Sequence, residues 1–491
     1  MTGVFGVVSK KPCFEDLYHG TDYQSHMGTK YGGFAVLVDG VGKKKIHQFD
    51  IQAQLKSEFF GMSPEKSEFA KATSGIGVIS AAEVQPSELM SRYGYFAVCT
   101  VGRWYNIDPI TKKLMEEGWS IEELSHDDEG VKANPTSLAA KIVAKEETIE
   151  EGVRRLFSQM HGSLSLLILT NEGIYAARAK YGHSPLIIGK KEGEDTWAVT
   201  GETCAFPNLG YKIEKQLRPG EITLLTQTGP KIIAEGNNTS NTCAFLWVYT
   251  GFPASEYETA GGSPINVELA RYRCGAALAR RDREAGITAD IVAGVPDSGL
   301  AHAIGYANES KIPLERPLVK YTDSYGRSYT PPTQAIRDKI AKFKLIPISQ
   351  IIKGKRIVLC EDSIVRGTQL KNFTIAKLYE SGAKEVHVRP ACPPLIFPCR
   401  YGKSTRAMEE LAARRAIAKV EGTMEPDNIE EYLNPESDKY RQMIALIMEE
   451  LNENNRIIKT LAYQRLDDMV EAIGLPKGKL CTYCWDGKGV V

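Results

Sequence analysis

Residues 355–371 read KRIVLCEDSIVRGTQLK, and the second half of the chain takes its fold from this stretch. An apolar run ends in two acids, Glu361 and Asp362, and passes through a turn of small and hydroxyl residues into a helical pattern. A strand entering a helix through a tight turn is the repeating unit of a parallel α/β sheet, where ligands sit beyond the carboxyl ends of the strands. At such a corner Ser363, Ile364, Val365, Arg366, Gly367 and Thr368 would present backbone amides and hydroxyls to a phosphate at a helix N-terminus, with no cation needed. Glu361 and Asp362 would reach the hydroxyls of an attached ribose, directly or through magnesium, a hard cation that takes carboxylate, water and phosphate oxygens; two acids alone more often read as the end of a buried strand followed by an ordinary solvated turn.

The flanking text keeps the same rhythm. Helix 266–285, strand 291–294, helix 299–308, strand 356–361, helix 368–381 and strand 385–389 alternate, which predicts a parallel sheet with right-handed crossovers. Charged text over 407–474 reads as strongly helical. The first half differs, with short β-type runs punctuated by glycine at 3–8, 33–38, 75–80, 95–101, 164–170, 173–178, 196–200 and 221–226. One or two amphipathic helices cover 133–157, so stacked sheets with helical layers outside are expected. The polar string EGNNTS at 235–240 marks the boundary. The expectation is therefore an α/β protein with an α+β first domain over 2–238 and a parallel-sheet domain with a helical tail over 243–491.

A chain of 491 residues is too long for one core. Hydrophobic residues at 42%, charged residues at 25% and a net charge of zero argue against disorder and against a nucleic-acid partner. No stretch approaches the ~20 uncharged apolar residues of a membrane helix, and the opening MTGVFGVVSKK lacks the apolar block of a secretory signal. A cytoplasmic protein without membrane attachment is expected. Ten cysteines, scattered except for one close pair, are too sparse for a disulfide scaffold. Cys481 and Cys484, spaced C-x-x-C, form half a metal site or a redox dithiol. Cys13, Cys99, Cys204, Cys274, Cys360 and Cys392 read as buried small hydrophobes.

The turn string closely resembles VDDSIVRGTT, the signature for phosphoribosyl pyrophosphate (PRPP) in the glutamine PRPP amidotransferases, with Cys360, Glu361 and Gln369 as departures. Two further segments share the likeness. AGVPDSGLAHAIGY at 293–306 is similar to GVPDSxxxAAIGYA, whose turn, here with Asp297 and Ser298, faces the pyrophosphate. YGRSYTPPTQAIR at 325–337 resembles the family's flexible loop. The resemblance, over about 243–488, implies a type I phosphoribosyltransferase fold that binds PRPP and magnesium through Glu361 and Asp362. It also implies Arg327, Arg337 and Lys344 as cations for the leaving pyrophosphate, under a lid that excludes water from the reacting ribose carbon.

The family's iron-sulfur branch holds a [4Fe-4S] cluster on one cysteine after the first domain, one in PPxxxPCxYG and two near the C-terminus. The corresponding residues are Cys243, Cys399 in PPLIFPCRYG, and Cys481 and Cys484 in CTYCWDGK. The resemblance favours that cluster, in a structural role, although four thiolates also suit zinc.

The first domain of this family is an Ntn hydrolase, an αββα sandwich whose leading cysteine opens the string CGIFGI. Here the string is TGVFGV, with Thr2 in the nucleophile's place, and threonine can serve when activated by its own α-amino group. The supporting residues depart further. GHVRYAT becomes GVISAAE, which puts Ser80 where an arginine grips the substrate carboxylate. The HNG oxyanion string becomes Thr100, Val101 and Gly102; loss of one such donor typically costs ~100- to 1000-fold in turnover. SSDTE becomes NPTS at 134–137. Such parts act as a unit, so a degenerate glutaminase is expected. His19, His26, His161 and His183 show no ligand spacing.

The leading expectation is an amidophosphoribosyltransferase-like enzyme of purine-biosynthesis-like chemistry. It would displace pyrophosphate from PRPP with ammonia or another amine, as a homo-oligomer, with ammonia free or delivered by a partner. Two readings compete: a catalytically silent regulator that binds PRPP or nucleotides beside a true amidotransferase, and a Thr2 hydrolase for a different amide. The departures at Glu361, Gln369 and the YGKST string after Tyr401, where the family reads YGID, suit the regulator.

Overall fold

Burial alternates along the strand Gly162–Thr170: Leu164, Leu166 and Ile168 enter one apolar cluster while Leu167 and Leu169 enter another. Successive side chains point to opposite faces, so a strand apolar at nearly every position is one whose sheet is covered on both sides. In the computed structural model, which describes residues 2–28, 30–48, 67–81, 83–127, 130–257, 264–321, 345–401, 407–452 and 457–488, this strand belongs to a six-stranded antiparallel sheet. One cluster packs that sheet on the helices Pro135–Lys145 and Ile149–Gln159 through Leu138, Ile142, Val153 and Leu156. The other packs it on a seven-stranded sheet through Val4, Ile76, Val78 and Val199.

The outer face of the seven-stranded sheet is covered by the helix Phe14–Asp22, whose Phe14 ring stands edge-on to Phe34 at 5.4 Å. The helix approaches closely enough that a Cβ on Gly77 would lie 2.0 Å from Thr21 Oγ1. The unit is thus an αββα sandwich. Text 133–157 resolves into two helices because each has its own cap. Asn134 Oδ1 accepts from the Thr136 and Ser137 amides ahead of Pro135, and Thr148 and Glu151 form a reciprocal capping box.

By contact the chain divides into two compact units. The first takes Met1–Thr242, Ala254–Pro264 and Tyr401–Lys403; the second takes Cys243–Pro253, Ile265–Arg400 and Ser404–Val491. In the second unit the strands Ile291–Gly294, Arg356–Glu361, Glu385–Pro390 and Ile458–Leu461 lie side by side in that order, all parallel. Ile357, Leu359, Val386 and Val388 bury against the segment following the central turn and against the helices Ala412–Glu421 and Asp438–Leu451.

The strand Ile458–Leu461 corrects the expectation of helix across 407–474. Its four residues, IKTL, bury only Ile458 and Leu461, and charged helical text on both sides hides them. Parallel pairing with Glu385–Pro390, a tertiary contact, makes them a strand. Leu318–Lys320 and Leu345–Pro347 form a further antiparallel pair that the sequence reading did not anticipate. Among the described residues no helix is long and apolar enough to cross a membrane.

Candidate active site

Chain direction locates the crevice in the second unit. Val292 bridges in parallel to Leu314 on one side, and the strand Ile291–Gly294 pairs with Arg356–Glu361 on the other. Connections leaving to opposite sides create a topological switch point, where an open α/β sheet leaves room for a ligand beyond its carboxyl ends. Two turns emerge there, 295–299 and 362–368. The first packs backbone against backbone on the strand that leads into the second: Val295 N–H donates to Cys360 O at 3.0 Å, and a Cβ on Gly299 would stand 2.4 Å from the same oxygen. The Pro296–Asp297 peptide is cis.

Glu361 and Asp362 therefore end a central strand at the crevice. Glu361 Oε1 accepts the Asp362 amide at 3.1 Å, and Asp362 Oδ1 accepts Ser363 Oγ–H at 2.7 Å. Asp362 is buried and Glu361 half-buried, so one carboxylate is held by the turn while the other borders the opening. Ile364 anchors the turn in the core, and Gly367 takes a φ of +81°, which a side chain would strain. Thr368 begins helical backbone that widens to a π-helix over Leu370–Ile375 and returns to α over Ala376–Glu380.

Across the crevice Asp297 accepts from Lys320 Nζ at 2.8 Å. Lys320 escaped the sequence reading, because one lysine at the end of a short LVK run carries no signal by itself. The same holds for Arg415, whose guanidinium reaches the turn backbone. Arg327, Arg337 and Lys344 lie outside the described residues.

Cys243, Cys399, Cys481 and Cys484 are all buried in the second unit. Backbone bonds hold their segments together: Ala244 N–H donates to Cys481 O at 3.2 Å, while Ile396 and Phe397 N–H donate to Cys484 O at 2.9 and 3.0 Å. Phe245 stacks on Trp485 with centroids 5.6 Å apart. A hydrogen bond with Cys399, then burial, then the charges of Cys399, Cys243 and Cys481 raise the Cys484 pKa. Burial, with Cys243 and Cys399 adding to it, raises that of Cys481. Among the described residues no three His, Cys, Asp or Glu side chains are already gathered around one point as ligands of a single ion. The four thiols are buried on segments that backbone bonds join, and four thiols are a donor set that a metal group takes.

In the first unit Thr2 pairs with Ser80 across adjacent strands. Ser80 is buried, and its Oγ accepts the Glu83 amide at 3.1 Å, so position 80 supplies no positive charge. Glu83 accepts from Gln85 Nε2 at 3.2 Å, and burial raises its pKa. Gln85 Oε1 takes the Thr100 amide at 2.8 Å, and Thr100 Oγ1 bonds Thr136 Oγ1 at 2.6 Å. Val101 is buried; Gly102 has a φ of +137°, and a Cβ there would fall 1.9 Å from Ser163 O. Asn134 is occupied as a helix cap and as a donor to Val84 O. Ser80, Gln85 and Thr136 side chains thus already engage the Glu83 and Thr100 groups. Glu83 was missed because an acid in GVISAAE matched no expected role.

No protein-family model matches the chain. The amidophosphoribosyltransferase of Methanothermobacter thermautotrophicus is 32% identical over 433 residues, covering 87% of this chain and 81% of that protein. That of Bacillus subtilis is 31% identical over 423 residues, covering 84% and 83%. That of Methanocaldococcus jannaschii is 29% identical over 514 residues, covering 99% and 97%. Among solved structures, the glutamine PRPP amidotransferase of B. subtilis complexed with ADP and GMP superposes with a TM-score of 0.78 at 27% identity, covering 99% of this chain and 96% of that one.

Proposed function

This chain belongs to the amidophosphoribosyltransferase family, and from that premise we propose that it displaces pyrophosphate from PRPP with ammonia or another amine, while its amino-terminal unit no longer hydrolyses glutamine. The observation that carries the first part is the pair Glu361 and Asp362 at a central strand end, followed directly by the 363–368 turn into a helix.

The turn fixes the 5-phosphate, and the two carboxylates hold the ribose hydroxyls and favour the positive charge that develops on the ring. An amine lone pair forms the new bond to ribose C1 as the bond from C1 to the pyrophosphate oxygen breaks. Pyrophosphate leaves with that electron pair, and the nitrogen gives its extra proton to solvent. No side chain acts as a covalent nucleophile. Magnesium, held by Glu361 and Asp362, would neutralise charge on the pyrophosphate. Lys320 adds a positive charge beside Asp297, across the crevice from the two carboxylates.

Four side chains support the silent glutaminase. Ser80 offers no cation to an α-carboxylate, Val101 has no polar group where the family's asparagine donates, Asn134 caps a helix, and Glu83 adds a buried acid close to Ser80. In the second unit Cys243, Cys399, Cys481 and Cys484 would hold a structural [4Fe-4S] cluster, and zinc is the alternative occupant of the same thiols.

Pyrophosphate release from PRPP, followed with ammonium, glutamine or neither, tests this reading. Turnover with ammonium alone is the expected result. PRPP binding without turnover would identify a silent binder, and turnover with glutamine would overturn the account of the first unit.

A further inference from the structure

A turn can bind phosphate through its amides only if those amides already point at the anion; otherwise the ligand must order them on arrival. Hydrogen bonds on the far side of the turn do this here. Ala412 N–H, at the start of the helix Ala412–Glu421, donates to Val365 O at 2.8 Å, and Arg415 Nη2 donates to Arg366 O at 2.8 Å. In a trans peptide the carbonyl and the following N–H point in opposite directions on one rigid plane. Holding Val365 O toward that helix turns the Arg366 N–H away from it, and holding Arg366 O does the same for the Gly367 N–H.

Arg415 is itself fixed at several points. Its Nη1 donates to Glu410 O at 3.0 Å and Glu409 O at 3.2 Å, and Glu450 of the helix Asp438–Leu451 grips its guanidinium. The Arg366 side chain is drawn off to Glu410.

Resting on the PRPP reading above, we infer that Arg415 is a positioning residue for the phosphate turn: held by Glu450, it aims the Gly367 amide at the 5-phosphate without touching the ligand. Its contribution is confined to that end of the substrate. The turn that faces the pyrophosphate, 295–299, is built on the Cys360 carbonyl and does not depend on it.

The test is calorimetry on the full chain with saturating magnesium, using PRPP, ribose 5-phosphate and inorganic pyrophosphate as separate probes. Arg415→Ala should weaken PRPP and ribose 5-phosphate about tenfold, by loss of a charge-assisted bond to the turn, and leave pyrophosphate unchanged. Arg415→Lys, which keeps the charge but not the fork, should fall between. Glu450→Gln should reproduce part of the loss and add less than its full effect to Arg415→Ala. Arg441→Ala, an exposed position on the same helix as Glu450, serves as the control and should bind like the wild type. Unchanged affinity in Arg415→Ala, or an equal loss for all three probes, overturns the inference. Wild-type protein that binds no PRPP would overturn the underlying reading as well, so the two failures are distinguishable.

Discussion

Asp362 and Asp297 carry the same carboxylate into opposite settings. Asp362 is 5% exposed and bonded to Ser363, while the Asp297 side chain is 66% exposed and pairs with Lys320 in solvent. A buried carboxylate that binds hydroxyls is worth more than a solvated ion pair, whose median contribution is about 0–1 kcal/mol. Asp362→Asn should therefore weaken PRPP about 10- to 100-fold in calorimetry with saturating magnesium, and loss of the Lys320 pair alone should cost less than about fivefold. His302 gives a prediction about acid. Its Nδ1 faces Arg271 O at 3.0 Å and its Nε2 faces Val248 O at 3.3 Å. Burial first, and the Arg271 charge second, bring its pKa from 6.5 down to about 3. The folded state thus holds His302 neutral while the unfolded chain takes up a proton below pH 6.5. Stability from this residue is complete above pH 6.5 and is lost as pH falls toward 3, by up to about 1.4 kcal/mol per pH unit. In thermal unfolding from pH 7.5 to 4.5, His302→Gln should lose less stability than the wild type, since the carboxylates common to both cancel in the comparison.

At the scale of elements, legibility followed burial on two faces and chemistry at strand ends. The runs at 164–170, 291–294 and 356–361 could be read because apolar residues dominate them and glycine or acids punctuate them, and 385–389 because Val386 and Val388 alternate with polar residues. Thr2 and Ser80 fall opposite each other on adjacent strands, a pairing their strings do not announce, and the network of Glu83, Gln85, Thr100 and Thr136 could not be foreseen either. Its members lie up to 53 positions apart, and their types suit any solvated surface. Backbone proximity was equally hidden. The helices Val267–Glu284 and Leu300–Ser310 touch so closely that a Cβ on Gly275 would fall 1.8 Å from His302 O, and one on Gly305 1.9 Å from Tyr272 O. Neither glycine has a positive φ to announce it, and only the packed structure shows why a side chain cannot enter. Gly299 is the functional counterpart. Its added Cβ would meet Cys360 O at 2.4 Å and Val295 N at 2.7 Å, both backbone atoms that cannot step aside. Gly299→Ala should force the 295–299 turn away from the strand end, at a cost of about 1–3 kcal/mol. Pyrophosphate and PRPP affinity should fall about tenfold or more, with ribose 5-phosphate less affected; equal binding of all three to variant and wild type would show that the turn can absorb the methyl group.

Across the whole molecule, the four cysteines raise a question of folding rather than of chemistry. Cys243 and Cys481 are about 240 residues apart in sequence, and Cys399 comes from a third segment, so their approach closes long loops whose entropy cost grows only slowly with length. Short backbone bonds and the Phe245–Trp485 stack hold the segments together, but buried thiols contribute little beyond their small apolar surface. A metal group on all four would add its binding free energy to folding, because no such site exists in the unfolded chain. Anaerobically prepared protein should accordingly contain iron and acid-labile sulfide in equal amounts and absorb broadly in the blue. Cys484→Ser should lose both and unfold at a midpoint several degrees lower. Zinc in place of iron would keep the stability argument and change the metal. Wild-type protein that carries neither, and melts with the variant, would reduce the four thiols to ordinary core residues. The test also separates stability from catalysis. A cluster that only ties segments together should leave the PRPP affinity of the surviving folded fraction unchanged in Cys484→Ser, whereas a fall in affinity per folded molecule would mean that the metal group also shapes the phosphate turn.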